Sequence, residues 1–210
     1  MKCIVFLGIQ GSGKGTQAKL LSDRLGYQHI NTGDLFREQI GRRSALGERV
    51  KASIGRGELV SDELVFEIID SSVLPDMKGI VFDGFPRNTK QAEFLVRNYQ
   101  VLCVFYLDLS EEDAIKRLSS RRMCSDCGVN FNLISHPPKS DGVCDVCGGE
   151  LVTRQDDKPE AIKQRMSEFY QQTFELKDYF EARCLLKSVK AESGITEIAT
   201  EINAALNQEF

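Results

Sequence analysis

The chain has no apolar run approaching the roughly 20 residues that a helix needs to cross a bilayer, and it does not open on a basic stretch followed by a long apolar segment and a cleavage site. Read this way, the sequence predicts a cytoplasmic protein with no membrane partner. An excess of one charge is missing too. Its 27 Lys and Arg against 31 Asp and Glu leave a formal net charge of -4, too little for a global pull on nucleic acid, so any anion site must be local. Histidine is scarce: His29 and His136 are the 2 in the sequence, and neither has a partner that would make it a catalytic base. They are read as packing or solvent-contact residues. There is no internal repeat, no low-complexity tract and no heptad pattern for a coiled coil. A guanine-reading N-K-x-D stretch is also lacking, which argues against a GTPase switch.

What is present is a regular alternation. At 210 residues the chain can bury one sizeable core and still carry inserts. KCIVFL at 2–7 reads as a buried parallel strand, ended by Gly8. A helical pattern starts at Lys14, with Ala18, Leu21 and Leu25 on one face and Gly26 as its stop. Strand-like runs recur at 27–31, 79–83 and 101–109, each followed by a helical stretch. A last strand near 183–189 and a helix over about 194–206 close the pattern. Five strands alternating with helices predict an α/β fold, a parallel sheet with helices on both faces. Two segments break the rhythm: an all-helical one between the second and third strands, and a Gly-, Cys-, Pro- and Asp-rich one from Met123 to about Lys158. Both read as inserts at the carboxyl edge of the sheet, where open α/β folds bind ligands.

GIQGSGKGT at 8–16 has the order of a phosphate-binding loop. Its glycines let consecutive backbone N–H groups curl towards phosphate oxygens, the following helix adds its positive end, and Lys14 can reach the transferring phosphates. Gly15 stands at the usual Ser/Thr position, with the hydroxyl one residue later at Thr16. The loop indicates a nucleoside triphosphate without choosing among ATPases, GTPases and kinases.

Of 7 cysteines, Cys124 and Cys127 form one close pair and Cys144 and Cys147 another. In a reducing compartment such pairs suggest a metal, and their spacing suits one zinc held by four thiolates, with no open place for substrate. The metal is therefore read as structural. A separate zinc ribbon that binds nucleic acid is the rival reading, but the segment lacks an interleaved basic and aromatic surface. Cys3, Cys103 and Cys184 are single and read as small core residues.

Five further stretches occur in one order: KGTQ at 14–17, NTGDLFR at 31–37, GELVSDELV at 57–65, DGFPR at 83–87 with Gln91 beyond, and TRQDD at 153–157. Together they resemble adenylate kinases of the nucleoside monophosphate kinase family, over nearly the whole chain. The resemblance implies a P-loop kinase core over residues 1–31, 62–122 and 159–210, a helical monophosphate-binding insert over 32–61 and a zinc-containing lid over 123–158. It implies a monomer that converts ATP and AMP to two ADP with Mg²⁺. Some long-lid members carry a structural Zn²⁺ at positions matching the four cysteines.

By the same resemblance, Gly11, Ser12, Gly13, Lys14, Gly15, Thr16, Arg117, Arg121, Asn130, Phe131 and Thr196 match residues on the ATP side. Thr32, Arg37, Glu58, Leu59, Val60, Gly84, Phe85, Pro86, Arg87, Gln91, Arg154 and Arg165 match residues on the AMP side. Lys14, Arg87, Arg121, Arg154 and Arg165 are expected to act on the phosphoryl group, and planar guanidinium forks suit phosphate better than lysine. Arg122 and Arg183 are read instead as solvated. Asp83, at the end of an apolar strand, is expected to hold the water shell of Mg²⁺. Asp156 and Asp157 are read as balancing Arg154. Phe131 is read either as a stacking partner for the ATP base or as lid packing. Asn88 after DGFPR is similar to UMP/CMP kinases, whose lids are short. Two departures from the family are Gln10 for a proline in the loop and Asn132 for a histidine in the lid.

Overall fold

The computed structural model describes residues 1–207. Its main sheet has five parallel strands: β1 (Lys2–Leu7), β2 (Gln28–Asn31), β3 (Gly79–Asp83), β4 (Gln100–Asp108) and β8 (Leu186–Lys190). Their order is β2-β3-β1-β4-β8. β1 lies between β3 and β4, so both faces of KCIVFL must be apolar, and Cys3 to Leu7 are buried. Phe6 stacks on Phe105 of β4 with centroids 5.5 Å apart. Each such side chain contributes roughly 1.5–3 kcal/mol by leaving water, which makes this central trio of strands a rigid platform for whatever sits at its carboxyl end.

Helices α1 (Lys14–Leu25), α5 (Thr89–Asn98), α6 (Glu111–Ser119), α7 (Pro159–Glu168), α8 (Leu176–Glu181) and α9 (Ile195–Asn207) flank the sheet. The chain reverses direction across the sheet at β1, so the crevice outside its carboxyl end is where an open α/β fold places a ligand. The segment between β2 and β3 is helical, as expected: α2 (Thr32–Gly41), α3 (Ala45–Arg56) and α4 (Asp62–Ser72). The cysteine-rich segment forms a second, antiparallel sheet of β5 (Arg121–Cys124), β6 (Asn130–Asn132) and β7 (Leu151–Val152).

Some local expectations are corrected. The run after Glu111 stops being helical at Ser119, and Arg121 and Arg122 lie on β5. Arg122 there folds back onto the carbonyls of Ser119 and Arg121 rather than facing solvent from a helix. Arg183 is exposed but lies 3.6 Å over the Tyr179 ring. Cys3 and Cys103 are core residues, whereas Cys184 is exposed in the turn after α8 at φ 55, where no core can form around it. Among the described residues no helix is long and apolar enough to cross a membrane.

Candidate functional site

The loop between β1 and α1 is set by a steric requirement. Gly8 has φ 135, and a Cβ there would lie 2.5 Å from the Leu107 carbonyl oxygen of β4, so only glycine lets the loop begin this close to the sheet. Beyond it, α1 has no acidic residue in its first turn, leaving its positive end uncompensated. The Lys14 ammonium folds back into the loop and donates to the carbonyls of Gly8 at 2.7 Å and Ile9 at 2.8 Å. Burial, and then the nearby guanidinium groups of Arg87, Arg165 and Arg121, outweigh the attraction of Asp83 and push its pKa down to about 7.

Asp83 ends β3 beside this loop. A Cβ on Gly15 would sit 3.1 Å from its Oδ2, so the absence of the usual Ser/Thr at Gly15 is what lets the carboxylate approach. Asn31 donates to that same Oδ2 through Nδ2, while its Oδ1 caps α2 by accepting the Asp34 N–H at 2.9 Å. Both ends of the Asn31 amide are therefore fixed.

A second cluster continues from Asn31 and Asp83 through the next residue of each segment, Thr32 and Gly84. The Gly84 carbonyl accepts Thr32 Oγ1–H at 2.8 Å and Arg87 Nε–H at 2.9 Å. The Arg87 backbone N–H in turn donates to Gln91 Oε1 at 2.8 Å. The DGFPR turn thus brings Thr32, Gly84, Arg87 and Gln91 together, and Phe85 and Pro86 are buried beneath them.

Between the two clusters stand the arginines. Arg121 grips Asp157 through Nε at 2.7 Å and through a second bond from Nη2. Arg165 donates to Asp157 Oδ1 at 3.1 Å and to the Asp156 carbonyl at 3.0 Å, with Asp156 Oδ2 at 3.2 Å. Arg37 pairs with Asp34 on its own helix and reaches Asp156 at 3.6 Å. The sequence reading had Asp156 and Asp157 balancing Arg154. Their direct ion pairs are with Arg121, Arg165 and Arg37, while Arg154, whose own direct pair is Asp34 at 3.7 Å, is still stabilised by the charge of Asp156. Arg154 Nε is buried without a partner. Burial first, then Arg121 and Arg37, lower the Arg154 pKa to about 9, and burial lowers that of Arg165 to about 10.

Lys14, Arg37, Arg87, Arg121, Arg154 and Arg165 thus face the carboxylates of Asp34, Asp83, Asp156 and Asp157. Positive charge exceeds negative in a partly dehydrated crevice, which is an arrangement that polyphosphate completes.

Other expected residues stand apart. Arg117 reaches the loop before α9 by donating to the Ala191 carbonyl at 2.8 Å. Gln17, the last residue of KGTQ, to which the sequence attaches no role, ties α1 to the same region through the Ile195 carbonyl at 2.9 Å. Thr196 and Asn130 are exposed. The Glu58 carboxylate pairs with Arg56, with bonds of 2.8 and 2.6 Å, while Glu58, Leu59 and Val60 are all half-buried. Phe131 is buried with Cys124, Cys144 and Leu151, and its ring stacks on His136 at 5.9 Å. The packing reading of Phe131 is the one the structure favours, because one face of the ring is covered and the residue is 4% exposed. Asn132, where the resemblance has histidine, joins β6 to the end of α6 by donating to the Arg117 carbonyl at 2.9 Å and to Ser120 Oγ at 3.0 Å.

The two cysteine pairs fold alike. In each, a glycine N–H, from Gly128 or Gly148, donates to the carbonyl of the first cysteine, at 3.1 and 2.9 Å. Backbone N–H groups, that of Cys127 first and that of Asp126 after it, outweigh burial and lower the Cys124 thiol, whereas the neighbouring sulfurs raise Cys127 and Cys147. The four sulfurs lie within 4.8 Å of one another, with Cys124–Cys147 at 3.4 Å and Cys127–Cys144 at 3.6 Å. A tetrahedron with Zn–S bonds near 2.3 Å has edges of about 3.8 Å, so the donor set fits a zinc ion.

Comparison with known proteins agrees with this geometry. The family model described as "Adenylate kinase" matches residues 6–185. The adenylate kinase of Caldicellulosiruptor saccharolyticus is 38% identical over 213 residues, covering 98% of this chain and 99% of that protein. That of Methanocella arvoryzae is 41% identical over 97% of this chain and 98% of its own. The adenylate kinase of Borreliella burgdorferi is 43% identical over 95% of each.

Proposed function

The chain belongs to the adenylate kinase family and is an ATP:AMP phosphotransferase, and we propose that Lys14, Arg87, Arg121, Arg154 and Arg165 carry its transfer step, ATP + AMP ⇌ 2 ADP. The observation that carries this assignment is the surplus of cations over carboxylates between the phosphate loop and the Thr32–Arg87–Gln91 cluster.

Phosphoryl transfer asks for alignment, neutralisation of spreading charge and exclusion of water more than for covalent help. Residues 11–16 cradle the ATP phosphates with backbone N–H groups, and Lys14 leaves the Gly8 and Ile9 carbonyls to meet them. Arg37 and Arg87 hold the AMP phosphate, while Thr32 and Gln91 face its base, with Leu59 and Val60 beside them. Arg121, Arg154 and Arg165 approach the transferring group from the lid side, and Asp156 and Asp157 keep those guanidinium groups apart until phosphate replaces part of their pairing. Arg117 and the loop before Thr196 lie on the ATP-base side. Asp83, fixed by Asn31, is the residue for the water shell of Mg²⁺, which supplies neutralisation of the triphosphate oxygens when bound. The cysteine tetrad holds a structural Zn²⁺ in a lid of residues 123–158, over a core interrupted by a helical AMP-binding insert of residues 32–61. We further read the protein as a cytoplasmic monomer with nucleotide partners and no nucleic-acid or membrane partner.

The direct test is product formation from ATP, Mg²⁺ and each of AMP, CMP, UMP and GMP. ADP formation selective for AMP is expected; an equal or better rate with another acceptor overturns the roles of Thr32 and Gln91. A second expectation follows from Lys14. Its pKa of about 7 rises when phosphates favour its charged form, so ATP binding at pH 8 takes up a proton. Calorimetry in buffers of different ionisation enthalpy should read an uptake of up to about one proton, and an enthalpy independent of buffer refutes it.

A further inference from the structure

Gln91 is buried, at 1% exposure, and both ends of its amide are held. Oε1 accepts the Arg87 backbone N–H at 2.8 Å, and Nε2 donates to Asp62 Oδ1 at 2.8 Å. Asp62 is the first residue of α4 and thus comes from a different part of the chain. Its Oδ1 also accepts from Asn88 Nδ2 at 2.9 Å, while Asn88 Oδ1 caps α5 by accepting the Gln91 N–H at 2.9 Å. Lys90 Nζ lies 3.4 Å from Asp62 Oδ2.

A primary amide is nearly symmetric in shape, and a half-turn exchanges its donor and acceptor. A free glutamine therefore reads a 6-aminopurine, which offers an N6 hydrogen and accepts at N1, as readily as a 6-oxopurine, which presents the reverse pair. Here the half-turn would set the amide NH₂ against the Arg87 N–H and the carbonyl against the Asp62 carboxylate. A backbone N–H only donates and an ionised carboxylate only accepts, so both contacts would become repulsive. In the observed orientation Gln91 keeps one amide hydrogen and one oxygen lone pair uncommitted, and because that orientation is fixed it can match only one of these two bases, which for an ATP:AMP phosphotransferase is adenine.

We propose that Asp62 is a positioning residue that makes the enzyme selective for a 6-aminopurine acceptor by holding the Gln91 amide in one of its two orientations. The proposal rests on the reading of Gln91 as the residue that faces the acceptor base. Burial alone would raise the Asp62 pKa, but hydrogen bonds from Asn88, Gln91 and Lys90 together hold it below the ordinary aspartate value, so the group remains an acceptor at neutral pH. The alternative is that Asp62 only supplies a negative charge to the first turn of α4. That role would slow all acceptors alike.

The test is kcat/KM for AMP and for inosine monophosphate, at saturating ATP and Mg²⁺, in the wild type and in D62A, D62N, D62S and Q91A. D62A is expected to lower the AMP-to-IMP ratio about tenfold, the scale of one charge-assisted hydrogen bond, with KM for ATP unchanged. D62S, too short to reach the amide, should give the same loss and stands in if D62A does not fold. D62N keeps a carbonyl oxygen that can take the place of Oδ1 and should hold the ratio within about threefold of wild type. A ratio unmoved by D62A and D62S, while Q91A collapses it, overturns the positioning role alone. A ratio unmoved by Q91A overturns both this role and the assignment of Gln91 to the base.

Discussion

Lys14→Met lowers kcat by on the order of a thousandfold, while the nucleotide-free protein keeps its fold. The size follows from what a charged group at the transferring phosphates is worth in a dehydrated site, where removing one preorganised donor costs roughly 10²–10³ in rate and removing an arginine that meets the same charge 10³–10⁵. Methionine keeps the apolar stem and removes the charge, so lost packing does not confuse the result. A kcat within tenfold of wild type refutes the role of Lys14.

The same variant has a signature in stability. Burial places the Lys14 pKa in the folded state at about 7, against an ordinary value of 10.5. Between these values the unfolded chain holds a proton that the folded chain has released, so the stability of the nucleotide-free protein rises with pH across that window. Below pH 7 both states are protonated and the unfavourable contribution is full and constant. Wild type minus Lys14→Met, followed by urea unfolding from pH 6 to 10, should therefore show a positive slope that the variant lacks. Parallel pH dependences would mean that burial does not hold the Lys14 pKa down.

Much of this arrangement was legible in the sequence, and the parts that were not share a cause. The strand–loop–helix at residues 2–25 could be read because apolar runs, glycine punctuation and helical period are local signals. The cysteine pairs could be read because their spacing is itself the chemistry. Asp62, Asn31 and Gln17 lie within the family-like stretches but show no role of their own there, because each acts on a group far away in sequence: Asp62 on Gln91, Asn31 on Asp83, Gln17 on Ile195. In the sequence, Asp62 and Asn31 are ordinary helix-start residues. Asp156 and Asp157 were noticed but given to Arg154, their neighbour in the chain, since nothing local indicates that β5 brings Arg121 to Asp157. Cys184 was misplaced in the core because a turn after α8, with φ 55, leaves no periodic trace. The two readings of Phe131 differ only in what covers its ring, which the stack on His136 supplies and no local sequence signal does.

On the proposed zinc reading, removal of the metal from the cysteine tetrad should disable the segment at 123–158, the proposed lid, and spare the rest. Outside the tetrad, only Phe131 and Leu151 join Cys124 and Cys144 in the buried apolar cluster of this segment, while Ile134 and Val146 are each 70% exposed. A unit of this size cannot bury enough apolar surface to fold unaided, since segments below about 40 residues usually need metals or disulfides. Cross-linking by four thiolates supplies what the core lacks. The main sheet has its own large core and shares none of these residues. Chelation, or the double change Cys124→Ser and Cys144→Ser, is therefore expected to split thermal unfolding into an early lid transition and a later one for the core, and to open residues 123–158 to proteolysis. Because Arg121 and Arg154 are carried by this segment and its edge, turnover should fall at least about tenfold, on the scale of lost transition-state contacts, and added Zn²⁺ should restore it in the chelated protein alone. A single unfolding transition with full turnover after verified metal removal would show that the lid stands on its four-residue core without a metal.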